Sequence, residues 1–172
     1  MAAIFTDENQ TCQIDVSSAI WATDKLNKIF TMVKDSILFD VDFIIEEHDC
    51  LLFVEIKNAN FVGVKKPEDF NPRDQKRLQK VAHKYFDSFH YARGLNKTFK
   101  QKIYIHLVEF LNDDSVLRKK LRIQLKDRLP FKLQELFSER MIDDILVLNF
   151  DEWNEQFPQF PLLRLKPQLN KI

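Results

Sequence analysis

Two neighbouring apolar stretches decide how this chain folds: Ile37-Leu-Phe-Asp-Val-Asp-Phe-Ile-Ile45 and Cys50-Leu-Leu-Phe-Val-Glu-Ile-Lys57. β-Branched and aromatic residues dominate both stretches, and this composition predicts two β-strands. The four residues between them, 46–49, are polar and have the length of a hairpin connection. The two strands are therefore expected to pair with each other.

Charged residues interrupt the apolar pattern of both predicted strands. Side chains alternate between the two faces of a strand, so Asp40 and Asp42 share one face of the first strand. Glu55 and Lys57 share one face of the second, and a hairpin register close to Asp42 opposite Glu55 would gather the acids.

This cluster of charges has two explanations. Burying a carboxylate is costly unless it is paired or bound to a metal, and clustered hard oxygen ligands suit Mg²⁺ or Mn²⁺. A lysine beside them can hold an anion as a point charge. The alternative is a solvated sheet face on which Asp, Glu and Lys form ordinary cross-strand ion pairs.

Helices and further strands are predicted on both sides of the hairpin. Apolar spacings of three and four over 16–33 predict a helix that begins near Asp15 or Ser17. Asn71-Pro72 predicts the start of a second helix, and Gly94 a left-handed cap at its end. The later elements are expected to be a strand at 102–110, a helix at 115–128, helical structure at 131–140, a strand at 144–150 and a short helix capped by Asp151. This order predicts the mixed α/β (α+β) class, with a central mixed β-sheet flanked by helices.

Composition narrows the classes of protein that the chain can belong to. Its 172 residues are the usual size of one domain, so 1–172 is expected to form a single domain. The two glycines exclude Gly-x-Gly-x-x-Gly and Walker A loops. The two distant cysteines exclude a disulfide scaffold and fit a reducing compartment. No apolar run could span a bilayer, and the first residues lack a secretory signal. A cytoplasmic protein without membrane contact is therefore expected.

The net charge of zero conceals an uneven distribution along the chain. Residues 1–60 carry a net charge of −7, residues 61–140 carry +9, and residues 141–172 carry −2. A basic helical segment in the middle third could contact phosphates, while the acidic first third could hold a cation. Solvated helix faces are the simpler alternative. The basic residues predicted on the exposed part of the second helix are Arg73, Lys76, Arg77, Lys80 and Lys84, and the first four are the predicted nucleic-acid-binding residues.

The spacing of the charged residues resembles the PD-(D/E)xK, or restriction endonuclease-like, nuclease superfamily. Asp42-Phe-Ile-Ile stands thirteen residues before Glu55-Ile56-Lys57-Asn58, and the superfamily has an Asp on one strand and Glu-x-Lys on the next. The resemblance covers about 17–110, the expected nuclease core. Residues 111–172 would form a C-terminal α/β extension of the same domain.

The resemblance implies a specific chemistry. Asp42 and Glu55 would ligate Mg²⁺ or Mn²⁺, with the backbone carbonyl of Ile56 nearby, and Lys57 would position or deprotonate the attacking water or stabilise charge on the phosphate. The reaction would be endonucleolytic hydrolysis of phosphodiester bonds, with DNA favoured as the substrate. The superfamily pattern also favours Asp42 over Asp40 as the ligand, which leaves Asp40 as an accessory acid. Some relatives carry a glutamine directed at the site from the next helix, which makes Gln75 and Gln79 further accessory candidates.

Three departures from the superfamily pattern stand beside the resemblance. Val41 replaces the proline before Asp42, no separate strand is visible before the Asp strand, and the first predicted helix has no glutamate for an extra ligand. These departures keep a second hypothesis open, a non-catalytic nucleic-acid-binding or protein-interaction module that retains the nuclease fold. A homodimer is compatible with either hypothesis.

Overall fold

The computed structural model describes residues 3–169. In chain order the elements are β1 (Ile4–Thr6), β2 (Cys12–Asp15), β3 (Trp21–Thr23), α1 (Leu26–Phe30), β4 (Phe43–Glu46), β5 (Cys50–Asn58), α2 (Gln75–Gly94), β6 (Gln101–Glu109), α3 (Ser115–Lys126), β7 (Asp144–Leu148), α4 (Phe150–Gln156) and β8 (Leu162–Arg164). Short 3₁₀ turns lie at Pro67–Asp69 and Leu133–Leu136. No helix within 3–169 has the length and apolar character needed to cross a bilayer.

A five-stranded mixed sheet forms the centre of the molecule, in the order β3-β4-β5-β6-β7. Strands β3, β4 and β5 are antiparallel, whereas β5, β6 and β7 are parallel. A second, antiparallel sheet has the order β1-β2-β8. The predicted mixed α and β class with a central mixed sheet is therefore confirmed.

Both faces of the central sheet are covered, and alternate side chains of β5 pack on the two faces. Leu51 and Phe53 pack in a core with α2 and α3, whereas Leu52 and Val54 pack on the opposite face with the small sheet and α4. Parallel strands buried on both faces are apolar at successive positions, as this strand is. Side-chain alternation therefore directs Glu55 towards α2.

The predicted hairpin and its register are confirmed. Phe43 pairs with Val54 and Glu46 with Leu51 in the β4–β5 ladder. Continuing this register by one residue sets Asp42, immediately before β4, opposite Glu55.

The helix predicted to begin near Asp15 or Ser17 is wrong. Asp15 ends β2, and its Oδ1 accepts a hydrogen bond from the Ser17 backbone N–H at 2.9 Å, which turns the chain. Within 15–33 the only α-helix among the described residues is α1, at Leu26–Phe30. The sequence shows no separate strand before Asp42, but the structure has one, β3. Residues 4–6 and 12–15, which show no clear periodicity, form β1 and β2.

The first predicted strand is shorter than expected, because side chains of α2 accept hydrogen bonds from its backbone N–H groups. The Phe39 N–H donates to Asp87 Oδ2 at 2.8 Å, and the Val41 N–H donates to Ser88 Oγ at 3.0 Å. These bonds replace ladder hydrogen bonds, so regular pairing begins only at Phe43.

Four further predictions about helices differ from the structure, and at the starts of α2 and α4 a side chain caps the backbone. Asn71 Oδ1 accepts from the Arg73 N–H in a turn, and α2 begins three residues later with Asp74 as its cap. Gly94 is the last helical residue, and Asn96 takes the left-handed conformation with φ 56°. The helix predicted at 131–140 is reduced to one 3₁₀ turn. Asn149, not Asp151, caps α4.

The two edges of the central sheet are β3 and β7, and a side chain covers part of the β7 edge. Strand β7 is the outermost parallel strand, and Arg122 on α3 donates from Nε to the backbone carbonyl of Ile145 at 2.5 Å. The same guanidinium pairs with Asp144 at 2.8 Å.

The contrast between Ile37 and Ile45 gives a test of the fold. Ile45→Ala should lower the free energy of unfolding by about 2–5 kcal/mol, because Ile45 is fully buried and the change leaves a cavity. Ile37→Ala is the matched control and should change it by less than about 0.5 kcal/mol, because Ile37 is 82% exposed. Chemical denaturation measures both. Equal decreases would mean that both residues pack in one long strand.

Candidate active site

A polar cavity of about 180 Å³ lies between β5, α2 and the turn that joins β1 to β2. It brings together the four residues that the resemblance singles out, namely Asp42, Glu55, Ile56 and Lys57. Two of the predicted nucleic-acid-binding residues, Arg77 and Lys80, line the same cavity.

Asp42 is held at the mouth of the β4–β5 hairpin by the neighbouring strand. Its Oδ2 accepts a hydrogen bond from the Ile56 backbone N–H at 2.6 Å. Burial raises the pKa of Asp42 to about 6, although the Lys84 ammonium and the Ile56 N–H both favour the charged form. The carboxylate is therefore positioned well but solvated poorly.

Glu55 is buried and bonded to a lysine from α2. Both of its carboxylate oxygens accept from Lys84 Nζ, each at 2.8 Å. Burial raises the pKa of Glu55 well above its ordinary value, and repulsion from Asp42 adds to this effect. Burial alone would lower the pKa of Lys84, but the carboxylates of Glu55 and Asp42 outweigh it and raise that pKa. When both acids are ionised, one ammonium compensates two carboxylates, and the group favours a further cation.

Lys57 is half-buried and lines the cavity two residues beyond Glu55. Within residues 3–169 its ammonium forms no hydrogen bond or ion pair, in contrast to Lys84. It is therefore available to an anion that enters the cavity.

Six residues that line the cavity were not predicted as site residues, and three of them bear on its charge: Glu8, Lys84 and His106. Lys84 was expected on the exposed part of its helix, but its side chain is only 18% exposed. Its position three residues after Val81 and four before Ser88, both buried, is the sequence signal that could have placed it inward.

His106 reaches the cavity because its strand pairs with β5. Glu55 and His106 are register partners, so their side chains share one face of the sheet. The Nδ1 atom lies 3.4 Å from the Glu55 backbone carbonyl, and burial lowers the pKa of His106 to about 4. The imidazole is therefore neutral at pH 7. Pairing between strands about fifty residues apart cannot be read from one sequence.

Glu8 enters the cavity from the β1–β2 turn. Asp7 fixes this turn, since its Oδ1 accepts from the backbone N–H groups of Thr11 at 2.6 Å and Cys12 at 2.7 Å. The Glu8 carboxylate is close enough to Asp42 to contribute to its raised pKa. An acid from this turn thus stands near the site, which has no glutamate from a first helix.

The remaining predicted site residues lie outside the cavity. Asp40 does not line it, and its Oδ1 is 3.4 Å from Asn27 Nδ2. Gln75 and Gln79 line a separate depression beside Phe86, where Gln75 accepts from Arg128, so the structure does not direct either glutamine at the site.

Two of the predicted phosphate-binding residues also lie outside the cavity. Lys76 is exposed on α2. Arg73 donates from Nε to Gln124 Oε1 at 2.8 Å.

The donor set fits a magnesium-type ion with two protein ligands. Within 3–169, no three His, Cys, Asp or Glu side chains form a group that could hold a metal ion. Mg²⁺ commonly keeps several waters and takes one or two carboxylates together with substrate phosphates. Asp42 and Glu55 supply two such carboxylates, and both are destabilised by burial in the absence of a cation.

The raised pKa of Asp42 predicts a pH-dependent stability. Asp42→Asn should raise the free energy of unfolding at pH 7 by about 1–3 kcal/mol, because a half-buried carboxylate with a raised pKa loses its charge and the amide oxygen can still accept from the Ile56 N–H. The folded state binds this proton more tightly than the unfolded chain, so wild-type stability should fall as the pH rises from about 4 to about 6. That decline should be weaker in the variant.

Denaturation across this pH range measures the effect, with Asp40→Asn as the control outside the cavity. A variant that is less stable than wild type at pH 7 would contradict the assignment of Asp42 as a destabilised carboxylate.

Comparisons with known proteins return no relatives for this chain: no family model, no curated protein and no solved structure matches it.

Proposed function

We propose that this chain is a metal-dependent nuclease with a restriction endonuclease-like core, which hydrolyses phosphodiester bonds and prefers DNA. The observation that carries the proposal is the meeting of Asp42, Glu55 and Lys57 in one cavity. Two poorly solvated carboxylates favour a divalent cation, and the Lys57 ammonium, which has no partner within residues 3–169, favours an anion. Together these groups suit a phosphate bound to a metal.

Each of these residues has a defined part in the proposed reaction. Asp42 and Glu55 would hold Mg²⁺ or Mn²⁺, and the Ile56 N–H keeps the Asp42 carboxylate in place. The bound metal would lower the pKa of its water and neutralise charge on the phosphate. Lys57 offers only hydrogen-bond donors, so it would orient the attacking water or meet the growing charge on the phosphate oxygens.

Substrate binding is assigned to the rim of the cavity on α2. Arg77 stacks on Phe70, with its guanidinium carbon 4.4 Å from the ring centroid, and the Lys80 ammonium lies 5.6 Å from the centroid of the Phe39 ring. Both cations line the cavity, so a phosphate backbone that reaches the acids would pass them.

Two arginines of α3 are less available for such contacts. Arg118 pairs with Asp113 and Glu152, and Arg122 pairs with Asp144. The basic surface is therefore concentrated on α2 and on the exposed lysines of α3.

A second candidate function is a nucleic-acid-binding module without catalysis. Lys84 favours this alternative, because its ammonium already neutralises Glu55 in the absence of a metal. In that case the cavity would be a structural ion-pair cluster, and the basic surface alone would bind nucleic acid.

Cleavage of plasmid DNA distinguishes these two functions. Lys57→Ala should lower the rate of metal-dependent plasmid nicking by roughly 10²–10³-fold, the scale expected when one electrostatic stabiliser is removed. Lys34→Ala removes an exposed lysine outside the cavity and should leave the rate near wild type. Nicking is measured with Mg²⁺ and with Mn²⁺. Binding without cleavage of any DNA or RNA form by the wild type would establish the binding-module alternative.

The salt dependence of binding tests which helix the nucleic acid contacts. Replacing Lys76, Arg77 and Lys80 by Gln should reduce the slope of log affinity against log salt by about one unit for each phosphate that these side chains neutralise. Replacing Lys119 and Lys120 on α3 by Gln is the control and should change the slope less. Fluorescence anisotropy of a labelled duplex over a salt series gives both slopes. A reversed result would place the phosphate backbone along α3.

A further inference from the structure

Lys84 occupies the position where a cation would contact Glu55. The Lys84 side chain extends from α2 towards β5, and its Nζ lies 2.8 Å from each of the two Glu55 carboxylate oxygens. The side chains of Lys84 and Glu55 are 18% and 8% exposed, so little water screens the pair.

No other cation of the cavity makes this contact among the described residues. Lys57 has no ion-pair partner there, and Arg77 and Lys80 lie against Phe70 and Phe39. Lys84 is therefore the direct counter-ion of the acidic pair when no metal is bound.

An ammonium and a divalent cation cannot use the same carboxylate in the same way. Lys84 donates hydrogen bonds to both oxygens of Glu55, and a metal would need at least one of them. The two positive charges would also repel each other strongly at such a short separation. Binding of one must weaken binding of the other.

We propose that Lys84 is a resident counter-ion that competes with the divalent cation for Glu55 and withdraws when the metal binds. This inference rests on the proposed function, since it assigns Glu55 to a metal. It makes Lys84 a positioning residue, which keeps the Glu55 carboxylate ordered in the metal-free protein and sets the metal concentration at which the site fills.

The choice of lysine suits such an exchange. An ammonium is a point charge on a flexible stem, whereas the planar guanidinium of arginine would grip a carboxylate with two parallel hydrogen bonds. A lysine can therefore release Glu55 more readily than an arginine at the same position.

The test is Mn²⁺ affinity measured by calorimetry on the full chain at pH 8, where protons compete less for the carboxylates. Lys84→Met should raise the affinity by roughly tenfold or more, because the competing charge is gone. Lys84→Arg should lower it below wild type. A purely structural lysine would give the opposite pattern, with weaker binding in the Met variant and rescue by Arg.

The matched control is Lys97→Met. Lys97 pairs with Glu46 at 2.6 Å outside the cavity, and its pair is comparably buried, at 24% and 10% exposed. This variant should leave Mn²⁺ affinity unchanged. Thermal unfolding of all three variants checks that each one is folded.

The outcomes distinguish this inference from the proposed function. Tighter Mn²⁺ binding by Lys84→Met without cleavage by either protein supports the exchange and removes the nuclease proposal. Wild-type cleavage with unchanged or weaker Mn²⁺ binding in Lys84→Met overturns the exchange and leaves the nuclease proposal standing. Absence of Mn²⁺ binding in both proteins overturns the exchange as well, since removing the competitor should have exposed the site.

Discussion

The structure is arranged around one constraint, which is that two carboxylates at the end of a buried hairpin are shielded from bulk water. Asp42 and Glu55 face each other across β4 and β5, and burial raises the pKa of both. An isolated buried charge is too costly to keep, so the surroundings supply compensation. That compensation consists of the Ile56 N–H and the Lys84 ammonium.

The architecture of the sheet explains why the acids cannot move elsewhere. Strand β5 is covered on both faces, so each of its side chains enters one of two cores. Alternation directs Glu55 to the α2 side, where the helix supplies Lys84, and pairing with β6 adds His106. The electrostatics of the cavity thus follow from strand register more than from local sequence.

Much of the central sheet could be predicted from the sequence, because its signals are local. The hairpin, its register, β6, α3 and β7 follow from β-branched runs, polar connections and apolar periodicity. The prediction of a helix from the spacing of Val16, Ile20 and Leu26 was wrong, because Asp15 turns the chain at Ser17. Ile20 is 61% exposed whereas Val16 and Leu26 are buried, so the three side chains do not share one buried face. The site was predictable to the same extent. Asp42, Glu55 and Lys57 belong to one hairpin, whereas Lys84, His106 and Glu8 arrive through contacts distant in sequence.

The guanidinium of Arg122 against the outer strand has a consequence for assembly. An outermost parallel strand normally offers unpaired backbone groups on which a further strand can add, and such edges promote aggregation. On β7 the Ile145 carbonyl is already taken by Arg122, which Asp144 holds in place. A second chain that approached this edge would have to break an ion pair and expel an arginine before it could form a hydrogen bond to this carbonyl. The β7 edge is thereby partly protected against the addition of a strand, and association through it is disfavoured.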